Sequence, residues 1–124
     1  MTVDRSLENF KRLQAQIQDI VEAIEATETF VAGMDFATFR CDPKTVYAVE
    51  RSLGIIGATA KRLPWEFIDR HPDLNWREII GLGDRLMYGV FETDLAVLWQ
   101  ALQSELPPLK KLMEESLRAA GEGP

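Results

Sequence analysis

From Leu7 the apolar residues fall at Leu7, Phe10, Leu13, Ile17, Ile20 and Ile24, then at Phe30–Val31. Steps of three and four predict one long amphipathic helix, with Lys11, Arg12, Gln16, Gln18 and Glu22 mostly outside the stripe. Gly33 ends it, and the segment DFATF is expected to bridge to the next element. Asp42-Pro43 reads as a capping residue followed by a first-turn proline. The second long helix carries Val46, Val49, Leu53, Ile56, Ala60 and Leu63, a bundle seam that Pro64 closes. A short helix is expected over 65–71, before Pro72. A third follows, capped by Asp73 or Asn75, running through Trp76, Ile79, Ile80 and Met87 to about Gly89. Thr93 or Asp94 opens a fourth with Leu95, Leu98, Trp99 and Leu102, which Pro107–Pro108 interrupt. Leu109, Leu112, Met113 and Leu117 continue as a final short helix. No segment alternates as a strand. The pattern predicts an all-α, up-and-down bundle of four main helices plus short ones, in a single domain over 1–118 with a frayed, disordered tail over 119–124.

The chain's 124 residues suffice for one domain with a real core. No apolar run approaches the ~18 residues of a membrane span, and the opening MTVDRSLENF lacks the layout of a signal peptide, so a cytoplasmic protein with no membrane partner is expected. A single Cys41 excludes an internal disulfide, and a single His71 argues against a zinc site; no metal or cofactor is expected. The formal charge of −6 argues against a dedicated nucleic-acid binder. Residues 40–85 nevertheless hold eight Lys/Arg against seven Asp/Glu, a net of +1, so the middle of the chain can present a local anion site.

The stretch GLGDRLMYG, residues 81–89, concentrates the candidate chemistry. It is not a dinucleotide loop: Leu86 stands where the third glycine belongs, and a helical pattern precedes it instead of a strand. Its glycines can also serve only to let helices approach or kink. Other polar and aromatic residues have plain readings. His71 reads as a solvated loop residue, Trp65, Trp76 and Trp99 as core or rim aromatics, and Cys41 as a small buried residue. Lys61-Arg62 complements a helix C-terminus, and Lys110-Lys111 is a solvated face.

The order of landmarks resembles the HepT-like branch of the HEPN superfamily, from about Ile17 to Leu117. Those landmarks are the Asp42 cap, Leu53-Gly54-Ile55-Ile56-Gly57-Ala58 leading to Ala60-Lys61-Arg62-Leu63, and Asn75-Trp76-Arg77-Glu78-Ile79-Ile80-Gly81. Asp84-Arg85-Leu86, Gly89 with Phe91, Asp94-Leu95 with Trp99, and Leu106-Pro107 follow. The resemblance implies a metal-independent endoribonuclease of a toxin–antitoxin pair, acting as a homodimer whose two motifs face each other. The implied partner is an MntA-like nucleotidyltransferase antitoxin. The family motif is an arginine, a polar residue, three variable residues and a histidine, often with a tyrosine two places on. On this chain those positions are Gly83, Asp84, Tyr88 and Val90, and only the polar residue is kept in kind. Glutamates common in the preceding helix of the family fall at Gly54 and Ala58.

Metal-free RNA cleavage needs a base for the ribose hydroxyl and a cation near the phosphate. A phenol, titrating near ~10 when free, is a poor base at neutral pH, and glycine carries no charge. Arg85 lies about 200° further round a helix than position 83, away from the family arginine's direction. The sequence therefore points to a catalytically degenerate HepT-like protein that works by binding its antitoxin. The alternatives are an active ribonuclease using Asp84, Tyr88 and Arg85 in an altered arrangement, with RNA as substrate, and a purely structural assembly subunit. Tyrosine adenylylation, by which the family's toxins are regulated, lacks its acceptor at Val90. If only side chains were lost, Gly83→Arg with Tyr88→His should restore cation and base together.

Overall fold

The computed structural model describes residues 5–89 and 94–121, and every described regular element is a helix. Helix α1 (Arg5–Val31) ends where Gly33 takes a φ of 77°, a conformation that side chains disfavour. The segment expected as a bridge is instead a helix, α2 (Phe36–Arg40). Asp35 caps it, its carboxylate accepting from the backbone and the hydroxyl of Thr38, each at 2.8 Å. Five residues are too few for a periodic signature, so only the cap could have announced it.

Helix α3 (Pro43–Lys61) starts as its sequence predicts, with the Asp42 carboxylate accepting from Thr45 N at 3.2 Å. A shorter α4 (Trp65–Asp69) precedes α5 (Trp76–Tyr88). Asn75 holds the cap position of α5, but its side chain makes no capping bond. The entry is held instead by Trp76 Nε1, which donates to His71 O at 2.9 Å. Asp94 caps α6 (Leu95–Ser104) by accepting from Ala96 N at 2.8 Å. The interruption expected at Pro107–Pro108 is present but falls two residues earlier, at Glu105. Both prolines occupy the first turn of α7 (Leu106–Gly121), where the backbone donors would have no helical acceptor in any case. At 16 residues α7 is longer than α6, so the expected final short helix is one of the main elements. It runs past position 118 to Gly121, and the rest of the expected tail lies outside the described residues.

Helix α3 is the centre of the bundle. It packs against α1 and α5, while α7 packs against α1 and α6. Ile20, Ile24, Val49, Ile56, Leu98, Leu109 and Met113 are fully enclosed. The α3 seam is thus consumed inside the chain, with Val49, Leu53 and Ile56 buried and Val46 packed on the core. It leaves no apolar stripe over for a second copy. Between α1 and α3 the hydroxyls of Thr27 and Ser52 meet at 2.7 Å, each within reach of a carbonyl of its own helix, and neither is left unsatisfied.

Candidate functional site

The α3–α5 seam gathers most of the motif positions. Gly57 of α3 meets Gly83 of α5 backbone to backbone: a β-carbon built on Gly83 would lie 2.6 Å from Gly57 Cα and 3.3 Å from Ala58 N. One built on Gly57 would lie 2.8 Å from Ile79 O. Neither neighbour is a flexible tip that could swing aside, so both positions admit only hydrogen. Towards the C-terminal end of α5, Gly54 is covered by Met87, whose Sδ would lie 2.9 Å from a β-carbon at that position. Arg51 Nη1 approaches the same sulfur at 3.7 Å. Gly54 and Ala58, where the resemblance led us to expect glutamates, lie along α5, one buried under Met87 and the other half-buried beside Gly83.

Asp84, the polar position of the expected motif, turns outwards. Lys61 Nζ sits 3.3 and 3.4 Å from its two carboxylate oxygens, in a pair that remains about half exposed. Arg85 points elsewhere, its guanidinium 3.9 Å from Glu78 and beside Gly81. Tyr88 closes α5 with 76% of its surface exposed and no hydrogen bond to its hydroxyl among the described residues. Helix α5 runs unbroken through Gly81 and Gly83, so no kink brings positions 83 and 88 together. Val90 lies outside the described residues.

Residues 20–116 match the family described as Ribonuclease HepT-like. The chain belongs to that family. It is similar to a probable ribonuclease HepT of Thermococcus cleftensis, 40% identical over 99 residues that cover 80% of this chain and 90% of the relative. A candidate RNase of Caldanaerobacter subterraneus is 34% identical over 102 residues, covering 82% and 91%. Another, of Methanocaldococcus jannaschii, is 32% identical over 108 residues, covering 87% and 89%. No solved structure matches the chain.

Among the described residues, the cation paired with Asp84 is Lys61, one turn past Gly57. Sequence reading assigned Lys61 to the end of its helix, because its partner is 23 residues away. The usable signal was the small residues Gly54, Gly57 and Ala58 on one helix and Gly81 and Gly83 on another, which foretells a close crossing. Among the described residues, no group of three or more His, Cys, Asp or Glu could hold a metal ion, and no helix is long and apolar enough to cross a membrane.

Other sequence readings need correction. Cys41 is exposed, not buried, because it stands at the junction between α2 and α3. His71 does lie in the loop between α4 and α5, but it is half-buried there: its ring packs tilted against Phe67 with centroids 4.9 Å apart, and its carbonyl accepts from Trp76 Nε1. Trp76 is buried and Trp99 lies over Phe39 at 5.2 Å, but Trp65 is 70% exposed on the surface.

Proposed function

We propose that this HepT-like chain is a catalytically degenerate component of a toxin–antitoxin pair, forming a homodimer and acting by binding an MntA-like nucleotidyltransferase antitoxin. The observation that carries the reading is the Gly57–Gly83 crossing. The position where the family motif places its arginine is buried backbone, with no space for any side chain. The altered arrangement of Asp84, Arg85 and Tyr88 finds little support. Asp84 is paired with Lys61, Arg85 turns to Glu78, and the exposed Tyr88 hydroxyl has no hydrogen-bond partner among the described residues. Support for the dimer comes from the exposed Tyr47, Met87 and Tyr88 on α3 and α5. Tyrosine and methionine are enriched at protein interfaces.

Incubation of the purified protein with transfer and messenger RNA, without metal, tests the catalytic half. The RNA should stay intact, whereas cleavage that disappears in Tyr88→Phe would establish the altered active site instead. Co-expression with a nucleotidyltransferase encoded beside this chain's gene tests the binding half. A stable complex is expected on size exclusion, and failure to associate would favour the purely structural subunit. Sedimentation at micromolar protein should give a dimer mass; a concentration-independent monomer would remove the dimer. The pair Gly83→Arg with Tyr88→His should fail to restore cleavage, because the arginine forces α3 and α5 apart.

A further inference from the structure

Gly54 has no side chain, and the space it leaves is filled from α5 by the thioether of Met87. A β-carbon at position 54 would lie 2.9 Å from Met87 Sδ and 3.2 Å from its Cγ, with Leu86 Cβ further off at 3.9 Å. The sulfur thus clamps the last turn of α5 onto α3. Its other side is open. Met87 is 38% exposed, whereas Met34 is half-buried and Met113 fully enclosed. Arg51 Nη1 points a donor at the sulfur from 3.7 Å, a weak bond because a thioether is a poor acceptor. The clamp stands at a helix end. Gly89 N donates to Arg85 O at 2.8 Å, and there the backbone turns extended and leaves the helix.

A thioether packed on one face and open on the other is within reach of an oxidant and cannot house the product in place. We propose that Met87 is an oxidation site, at which a peroxide converts this clamp into a sulfoxide and frees the end of α5. A sulfur lone pair attacks one oxygen of hydrogen peroxide and the O–O bond breaks. The departing hydroxide takes the proton from the transferred oxygen and leaves as water, so sulfur is oxidised and the peroxide reduced in one two-electron step. The new oxygen makes a strong acceptor of a nearly apolar group. Towards Gly54 it would meet amides already committed within α3; towards solvent it meets the Arg51 guanidinium. Burying an unpaired acceptor costs more than a hydrogen bond returns, so the oxygen turns outwards to Arg51 and draws the sulfur off Gly54. Leu86 stays packed on the core, which confines the release to the final turn. The sulfoxide also falls within the exposed surface of Tyr47, Met87 and Tyr88. Where two copies pair there, oxidation weakens the pairing; that consequence rests on the dimer reading, whereas the release does not.

The full chain is treated with dilute hydrogen peroxide, the added oxygen is located by peptide mapping, and backbone hydrogen exchange is compared before and after at equal protein concentration. Met87 should gain one oxygen while Met113 stays reduced. Once Met87 is oxidised, the peptide that ends α5 should exchange at least about tenfold faster, with the α1 peptides unchanged. A methionine sulfoxide reductase with a thiol donor should restore the slow exchange. Met87→Gln sets a polar acceptor in the same place without oxidant and should exchange fast from the outset. Met87→Leu should stay slow in peroxide; it retains the exposed Cys41, so an effect of thiol oxidation would persist in it. Unchanged exchange in the Met87 sulfoxide, slow exchange in Met87→Gln, a peroxide response that survives in Met87→Leu, or a Met87 thioether that outlasts Met113 would each overturn the proposal.

Discussion

On its α1 side, helix α3 meets enclosed branched side chains, Ile20 and Ile24, and a hydroxyl pair, Ser52 with Thr27. On its α5 side it meets backbone, Gly57 against Gly83, with a thioether folded over Gly54. The first contact is set by the volume of what is present, and the second by the absence of any side chain. Side-chain packing tolerates repacking, because rotamers can shift and a partly filled space can relax. Backbone contact has no such freedom. Gly83, where the proposed reading puts the family motif's arginine, lies on the rigid side.

The comparison is tested most severely on the α1 side. Ile24→Ala leaves a cavity in a fully enclosed site and should cost about 2–5 kcal/mol in urea unfolding. A loss below about 1 kcal/mol would mean that the seam closes up, and that it is not the filled interface described above. Next come two alanine substitutions in one helix. At Gly81 a β-carbon meets only Arg85 Nη1 at 3.7 Å, so Gly81→Ala should stabilise by about 0.5–1 kcal/mol through helix propensity. Gly83→Ala gains the same propensity but forces the backbones apart, and should be net destabilising by about 1–3 kcal/mol. Equal stabilisation of both would refute the tight crossing.

Thr27→Val tests the polar element of the α1 side. It removes one buried hydroxyl while Ser52 keeps the Val49 carbonyl, so a cost of about 1 kcal/mol is expected from thermal unfolding. The smallest effect lies outside both seams. The Thr38 backbone amide, and then its hydroxyl, hold the Asp35 carboxyl below its ordinary range. A lowered native pKa means that this cap's contribution is full above about pH 4, where the unfolded carboxyl is also ionised. It is lost as pH falls through the lowered native value. Hydrogen exchange at Thr38 should accelerate relative to the α3 amides over that acid range, and Asp35→Asn should flatten the difference.

The long stripes on α1 and α3 and the Asp42-Pro43 start were legible because periodicity and capping are local properties of the chain. Helix α2 was not, being too short to show a period. The prolines at 107 and 108 announced the break between α6 and α7 but not its exact place. Proline ends a helix or begins one with the same chemistry, and only the position of Glu105 decides which. Of the candidate site, the small residues on α3 and α5 were readable, whereas Lys61 beside Asp84 and Gly57 against Gly83 were not. Both are contacts between segments more than twenty residues apart, decided by how two helices cross.

The glycine crossing also bears on what mutation can reach. Every glycine codon is a single base change from an arginine codon, so arginine at position 83 is continually supplied by replication. Nothing in the genetic code keeps it out. What removes it is the distance between two polypeptide backbones, which would have to widen before the new side chain could be housed. A deep mutational scan should therefore find arginine at 83 depleted in protein abundance, and recovered only in company with changes along α3 that reopen the gap.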